Sequence, residues 1–213
     1  EFTVNNDGAS GIYDYDADWG SNPAKKTAIL KMLQAKYKDP FKQTYVNTFQ
    51  RALDGSLSFN TAVQQSPVIT TKFEDNDLSN KLKMIARTIA IRKQLGFKRQ
   101  IFYLHYSGWD HHDELLDNQR SMLQTLDTAI DSFQKSVQEL NIADNVVTFT
   151  MSEFARTLSS NGNGTDHAWG GNAMVIGNPV KGKQIYGNFP SLTLKSNIDL
   201  GNGVLIPELP NDL

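Results

Sequence analysis

Apolar residues recur every three to four positions in the first third of the chain, which is the pattern of amphipathic helices. The first helix begins at Asn22, where an Asn-Pro pair supplies a cap and a first-turn proline. The second begins at Asp39 and is expected to end at Gly55, and residues 57–63 form a short third helix. We therefore expect residues 1–75 to be a helical subregion that packs against or covers the rest.

The pattern changes after this subregion. Helical spacing returns over residues 77–96 and again over 116–140. Three short apolar runs lie among these helices, at residues 101–104, 146–151 and 173–176. Because these runs are continuous rather than alternating, they are typical of strands that are covered on both faces. The order of elements predicts helices packed against a largely parallel sheet.

We interpret the fold as an α/β layered sandwich with a mostly parallel sheet flanked by helices. The chain is read as one domain over residues 1–213, in which residues 76–213 are the α/β part that carries the site. Three strands are few for this number of helices, so we expect part of the sheet to lie outside this chain. Ligands of such sheets bind at the carboxyl ends of the strands, where the polar clusters 105–112 and 152–156 should meet.

Composition excludes several classes of function. The chain has a net charge of −2 and no basic run, which argues against binding of nucleic acid. The absence of cysteine excludes disulfides, thiolate metal sites and cysteine nucleophiles. No apolar run reaches the roughly 18 to 20 residues that a membrane span needs. We expect neither a nucleic-acid partner nor a membrane span, and the sequence assigns no oligomeric state.

An acidic segment near the start has part of the spacing of a calcium loop. Asp14, Asp16 and Asp18 alternate along it, as the first calcium ligands of such a loop do. Trp19 and Lys25, however, stand where the loop requires glycine and glutamate. A solvated acidic loop is the preferred interpretation.

All four histidines of the chain fall in the two predicted loops that follow strands, and none lies in the helical first third. Together with nearby carboxylates they supply a set of metal ligands: Asp110, His112, Glu153, Asp166 and His167. Several carboxylates placed together would repel one another, whereas a divalent cation neutralises them and fixes their geometry. Zn²⁺ is the first choice for these ligands, and iron, Mn²⁺, Mg²⁺ or Ca²⁺ are the alternatives.

Each of these residues also has an ordinary structural explanation. Asp110 could cap the helix that follows it, and Asp166 could be a turn residue. His105 could be a satisfied histidine at the end of a strand, and His111 could point at solvent. Their convergence in two loops, rather than any one of them, favours a metal or catalytic site.

Arg156 and Asp166 are the candidates for catalytic roles. The guanidinium of Arg156 could bind an anionic oxygen through its bidentate fork, or it could simply pair with Glu153. Trp109 and Trp169 stand beside the two acid-histidine pairs, where packing walls are the first interpretation and substrate platforms the second.

Three motifs in this part of the chain resemble those of a bacterial family, the domain of unknown function numbered 1501. The motifs are Gly108-Trp109-Asp110-His111-His112, Ser152-Glu153-Phe154-Ala155-Arg156-Thr157 and Thr165-Asp166-His167-Ala168-Trp169-Gly170. Their order and the helix between the first two also match. The resemblance extends from about residue 96 to residue 207 and corresponds to the C-terminal part of the family domain. The family is grouped with the alkaline-phosphatase and sulfatase-like superfamily.

The resemblance implies a two-metal centre of the phosphatase or sulfatase kind. By analogy Asp110, His112 and His167 are metal ligands, and Glu153 takes the place of a further acid ligand. Asp166 either binds metal or orients His167. The superfamily's hydroxyl or modified-cysteine nucleophile has no convincing counterpart in this chain. Twin-arginine export signals in family members imply a periplasmic or secreted location.

Two functions follow as hypotheses. The first is a metal-dependent hydrolase of phosphate or sulfate esters, acting on a small-molecule or carbohydrate ester outside the cytoplasm. The second is a non-catalytic binding or assembly protein that retains a structural metal site. A structural site should be closed by protein ligands, whereas a catalytic one keeps an open position. A serine hydrolase is disfavoured because the sequence has no Gly-x-Ser-x-Gly turn.

Overall fold

The computed structural model describes residues 4–6, 8–10 and 22–208. The acidic segment with Asp14, Asp16 and Asp18, interpreted above as a solvated loop, lies outside these residues. The chain divides into two compact units. Unit 1 consists of Glu1–Thr70 and Asp75–Tyr103, and unit 2 consists of Thr71–Glu74 and Leu104–Leu213. The single-domain interpretation stays a prediction.

Where the structure describes it, unit 1 is built from helices and one small hairpin. In the hairpin, strands β1 (Val4–Asn5) and β2 (Gly8–Ala9) pair antiparallel. The helices are α1 (Asn22–Gln34), α2 (Pro40–Gln64) and α3 (Asp77–Ala90). The small core of the unit combines residues of the hairpin, α2, α3 and the turn after α3: Ala9, Phe59, Ala62, Val63, Met84 and Ile91.

The predicted starts of these helices are confirmed, and their capping explains them. Asp39 accepts hydrogen bonds from the amides of Phe41 and Lys42 at 2.8 and 3.2 Å, which satisfies two of the free amides at the start of α2. Asn76 does the same for the amide of Ser79 at 2.9 Å, at the start of α3. Short polar side chains before an apolar stripe therefore mark the starts of α2 and α3.

The predicted stop at Gly55 is wrong, because α2 continues through it to Gln64 and absorbs the expected third helix. Buried residues on both sides of the glycine, Leu53, Ser56 and Phe59, hold the helix together there. Their burial outweighs the cost of about 1 kcal/mol that glycine carries inside a helix. Helix α3 ends at Ala90, before Gly96, which lies in a turn with a φ of +72°.

The described residues of unit 2 contain one long helix and two antiparallel strand pairs. Helix α4 spans Leu115–Glu139 and buries Ala129, Phe133, Ser136 and Val137 along one side. A short 3₁₀ turn at Ala143–Asn145 follows it. Strand β3 (Thr148–Phe149) pairs with β6 (Val175–Ile176), and β4 (Ala155–Ser160) pairs with β5 (Thr165–Ala168).

The predicted layered sandwich with a parallel sheet is therefore wrong. The protein is mostly helical, and within residues 4–6, 8–10 and 22–208 all strand pairs are short, two-stranded and antiparallel. Residues 101–104, predicted as a buried strand, form no strand, and the side chain of Ile101 is 97% exposed. In the second predicted strand only Thr148–Phe149 is regular, and Phe149 is exposed as well. A run of apolar residues shows only that a segment is hydrophobic. The segment is buried only where other residues pack against it, and these exposed side chains lack such packing.

Candidate metal centre

Two segments of unit 2 form the site: the loop over residues 109–113 and the hairpin of β4 and β5. Several contacts of the hairpin with the backbone of the loop hold the two segments together. The amide of Thr165 donates to the carbonyl of His111 at 3.4 Å, and the Asn161 side chain donates to the carbonyl of His112 at 3.1 Å. Gly164 lies so close to the loop that a Cβ atom there would come within 2.3 Å of the His112 backbone. The absence of a side chain at Gly164 thus permits the loop and the hairpin to meet.

The register of the hairpin places two site residues side by side. Arg156 on β4 is the direct cross-strand partner of His167 on β5. Side chains of directly paired residues point to the same face of a sheet, with Cβ atoms roughly 4.5–5.5 Å apart. Both side chains therefore reach the same carboxylate, that of Asp110 in the facing loop.

One carboxylate oxygen of Asp110 is the focus of the site. Its Oδ1 atom lies 2.7 Å from Nε2 of His167, 3.0 Å from Nε2 of His112 and 3.1 Å from Nη2 of Arg156. The hydrogen bond with His167 holds the pKa of Asp110 below its ordinary value, although partial desolvation opposes this. The charges of His112 and His167 and the bond from Arg156 lower the pKa further. Asp110 is therefore a carboxylate over the physiological pH range.

His112 lies between two carboxylates. Its Nε2 atom faces Asp110, and its Nδ1 atom lies 3.2 Å from Oδ1 of Asp166. Asp166 is itself held by the Asn161 side chain, 3.3 Å away, and by a hydrogen bond from its own amide to the Thr157 hydroxyl. A carboxylate on Nδ1 keeps the proton on that nitrogen and leaves Nε2 free to bind a metal. In this structure Asp166 orients His112, whereas the sequence interpretation had paired it with His167.

The donor atoms fit a divalent cation. One ligand atom from each of Asp110, His112 and His167 lies within 4.8 Å of the other two. Ligands in a tetrahedral zinc site are about 3.3 Å apart when zinc–ligand bonds are about 2.0–2.1 Å long. The contacts of 2.7 and 3.0 Å between Asp110 and the two histidines are shorter than this spacing by about 0.6 and 0.3 Å. Two imidazoles and a carboxylate are also the donors that Zn²⁺ prefers.

The group is open to solvent. The side chain of Asp110 is 60% exposed, and those of His112 and His167 are each 48% exposed. In the described part of the chain, the group that could hold a metal has three members. Three protein ligands with an accessible fourth position are typical of catalytic zinc, whereas structural zinc is closed by four.

Phe154 was not predicted as a site residue, yet it supports the centre. Its ring stacks on the ring of His167, with centroids 4.0 Å apart and planes inclined by 10°. The guanidinium of Arg156 lies 5.1 Å from the same Phe154 centroid. The position of Phe154 in the second motif, between Glu153 and Arg156, was the signal that could have identified it.

The remaining candidates lie away from the ligand group. Glu153 and His105 are exposed, and neither belongs to the group formed by Asp110, His112 and His167. His111 is 6% exposed, so it does not point at solvent, and its Nε2 atom has no hydrogen-bond partner among the described residues. Trp169 is 65% exposed. Of the predicted site residues, the structure brings Asp110, His112, Arg156, Asp166 and His167 together and leaves Glu153 outside.

Comparison with known protein families shows to which family the chain belongs. The model of the family described as "Protein of unknown function (DUF1501)" matches residues 20–202, which is most of the chain and reaches well before residue 96. The chain belongs to the DUF1501 family. No curated protein and no solved structure matches it. All three motifs that carried the resemblance lie inside the DUF1501 match, and the first and third contribute Asp110, His112 and His167.

Hydropathy adds one observation on this DUF1501 chain. None of the helices within the described residues is long and apolar enough to cross a membrane.

Proposed function

We propose that this protein is a metal-dependent hydrolase of phosphate or sulfate esters, with a divalent metal, Zn²⁺ first, held by Asp110, His112 and His167. The observation that supports it is the convergence of Asp110 Oδ1 and the Nε2 atoms of both histidines within 4.8 Å at an exposed position. The proposed relation to the alkaline-phosphatase and sulfatase-like superfamily rests on the three motifs, not on the sheet.

The residues of the chain have distinct roles in this proposal. Asp110, His112 and His167 bind the metal, and Asp166 fixes the ring of His112 so that Nε2 faces it. The metal that these residues would hold would supply water activation at neutral pH and stabilisation of negative charge on an ester oxygen. The exposure of all three ligands leaves room for a substrate beside them.

The alternative is a binding or assembly protein with a structural metal. It is less well supported, because a structural site needs a closed set of ligands and this group is half exposed. The substrate we propose is a small-molecule or carbohydrate ester outside the cytoplasm, and the periplasmic or secreted location is part of the proposal by family resemblance. Recovery of the protein in the cytoplasmic fraction of the cells that produce it would contradict that location.

Metal content of the purified protein, measured by elemental mass spectrometry, tests the proposal first. We expect near-stoichiometric metal in the wild type and its loss in an Asp110→Ala/His112→Ala variant. The matched control is a His105→Ala/Asp117→Ala variant, which also removes one exposed histidine and one exposed aspartate of unit 2. The control should keep its metal.

Chemistry is then tested on the metal-loaded protein with p-nitrophenyl phosphate and p-nitrophenyl sulfate. Hydrolysis that is lost with the double ligand variant and kept in the control supports the hydrolase. Stoichiometric metal without hydrolysis of any ester in a wider panel favours the structural alternative. Metal absent from the wild type even after reconstitution overturns both.

A further inference from the structure

Arg156 makes contacts that a substrate-binding arginine would not make. Its Nη1 atom donates to the carbonyl of Thr165 at 2.7 Å, and its Nη2 atom donates to the carbonyl of Trp109, also at 2.7 Å. The same Nη2 atom donates to Oδ1 of Asp110 at 3.1 Å. Only 14% of the side chain is exposed, against 60% for Asp110. The guanidinium thus lies beneath the ligand group, and its donors point into the protein.

Counting its donors excludes a bidentate contact with a substrate. A guanidinium binds a phosphate or sulfate tightly through two parallel N–H groups. Both Nη2 hydrogens of Arg156 are already used, and one of the two Nη1 hydrogens is used as well. The Nε atom is buried and has no partner among the described residues. The single remaining Nη1 hydrogen cannot form a fork.

The two carbonyls that Arg156 binds identify what it does. Trp109 directly precedes the ligand Asp110, and Thr165 lies two residues before the ligand His167. One rigid side chain therefore connects the backbone of both ligand-bearing segments and also fixes the carboxylate. Phe154 contacts both Arg156 and the ring of His167, which adds support to the second segment.

We infer that Arg156 is a positioning residue that sets the metal affinity of the centre, and not a group that binds substrate. The inference rests on the proposed metal site at Asp110, His112 and His167. It excludes both roles that the sequence suggested for Arg156, an anion-binding fork and a partner of Glu153. Lysine is a poor replacement, because its compact ammonium cannot reproduce the planar fork that reaches three acceptors.

Co²⁺ titration of the metal-free protein tests the inference, because the visible absorption of bound Co²⁺ reports its coordination. Arg156→Lys and Arg156→Gln should each weaken Co²⁺ binding roughly 10- to 100-fold, as loss of an outer partner of metal ligands typically does. Both should also change the absorption spectrum. The control is Arg120→Gln, since Arg120 is exposed and pairs with Asp117 on α4, and it should bind Co²⁺ like the wild type.

The contrary outcomes are distinct. If the wild type and Arg156→Lys bind Co²⁺ equally well, the planar fork of Arg156 is not needed and the inference is overturned. If Co²⁺ affinity is unchanged in both variants while the Co²⁺-loaded proteins bind inorganic phosphate more weakly, Arg156 binds substrate and the inference is again overturned. In either case the proposed metal site stands. A wild type that binds no Co²⁺ overturns the proposed function together with the inference.

A measurement on the wild type covers the case in which both Arg156 variants fail to fold. In an NMR spectrum the three contacts should slow rotation of the guanidinium, so that its Nη1 and Nη2 protons give separate signals. These signals should shift on addition of Zn²⁺ and stay in place on further addition of phosphate. A single averaged signal would overturn the inference.

Discussion

Oδ1 of Asp166 lies 3.2 Å from Nδ1 of His112, so the carboxylate determines which ring nitrogen faces Asp110. Outer partners of this kind fix both the orientation and the tautomer of a metal-binding histidine. Asn161 and Thr157 hold Asp166 in turn, so the orientation of His112 depends on residues of β4 and of the turn that follows it.

Replacing Asp166 with asparagine should weaken Zn²⁺ binding roughly 10- to 100-fold. The amide keeps the shape of the side chain but carries no charge, so it holds the Nδ1 proton of His112 less firmly. A competition titration with a chromophoric chelator measures the effect. Asp117→Asn, on the exposed surface of α4, is the matched control and should bind Zn²⁺ like the wild type. Equal affinities in the two variants would contradict the role of Asp166.

Gly164→Ala should destabilise the protein by about 1–3 kcal/mol, the usual cost of forcing an extra methyl group into a packed site. The new Cβ would meet the backbone of His112 at 2.3 Å, and backbone cannot rotate away as a side chain can. Zn²⁺ affinity should fall as well, because the displaced residue is a proposed ligand. Urea unfolding and the chelator titration measure the two effects.

Gly182→Ala provides the control for that substitution. No atom lies within 4 Å of a Cβ built at Gly182, so the same chemical change should alter neither unfolding nor metal binding. A Gly164→Ala variant that behaves like this control would show that the loop and the hairpin are not in close contact.

Helix starts could be predicted from the sequence because the signal is local. Asp39 and Asn76 bind amides only two or three residues ahead, so neighbouring residues decide the outcome. The stop at Gly55 failed because it depends on residues that pack elsewhere in unit 1. Phe59 belongs to a core that also includes Ala9, far away in the chain.

The predictions of strands failed for a related reason. The apolar run at residues 101–104 is indistinguishable by pattern from a buried strand, yet Ile101 and Tyr103 are exposed. The polar clusters at residues 105–112 and 152–156 were expected to lie together because the carboxyl ends of parallel strands meet at one edge of a sheet. In the structure the clusters meet instead because Gly164 lets an antiparallel hairpin approach the loop at His112.

The proposed metal ligands could be predicted from composition and position in the sequence, whereas the residues that hold those ligands in place could not. Histidines and aspartates stand out in the motifs, so Asp110, His112 and His167 could be proposed directly. The contact of Phe154 with His167 depends on ring orientation, which spacing does not encode. The pairing of Asp166 with His112 depends on loop docking for the same reason.

Gly55→Ala should stabilise the protein by about 0.5–1 kcal/mol, the cost of glycine relative to alanine inside a helix. The prediction follows from the finding that α2 passes through this position. Gly96→Ala gives the opposite expectation, because Gly96 has a φ of +72° and alanine pays about 1–2 kcal/mol there. Thermal unfolding of the two variants measures both signs. Destabilisation by Gly55→Ala would mean that the added methyl group clashes within unit 1.

Asp199 should make the loop over residues 195–205 sensitive to acid. Its carboxylate accepts hydrogen bonds from the amides of Lys195, Gly201 and Gly203 at 2.7, 2.8 and 3.1 Å. The bond from Lys195, followed by those from the glycines, lowers the pKa of Asp199. The loop in turn supports β4, because the carbonyl of Gly203 accepts the amide of Leu158 at 3.1 Å.

The direction of this pH dependence follows from the lowered pKa. A carboxyl whose pKa is lower in the folded state contributes stability that is fully present above its unfolded pKa of about 3.9. That contribution is lost as the pH falls through the lowered pKa of the folded state. NMR signals of the Gly201 and Gly203 amides should therefore move with a midpoint below about 3.9. In Asp199→Asn they should be independent of pH over this range, and in Asp117→Asn the transition should remain. A midpoint at the ordinary pKa of an aspartate would show that the three amides do not hold the Asp199 carboxylate. In that case the loop would support β4 through the backbone contacts of Gly203 alone.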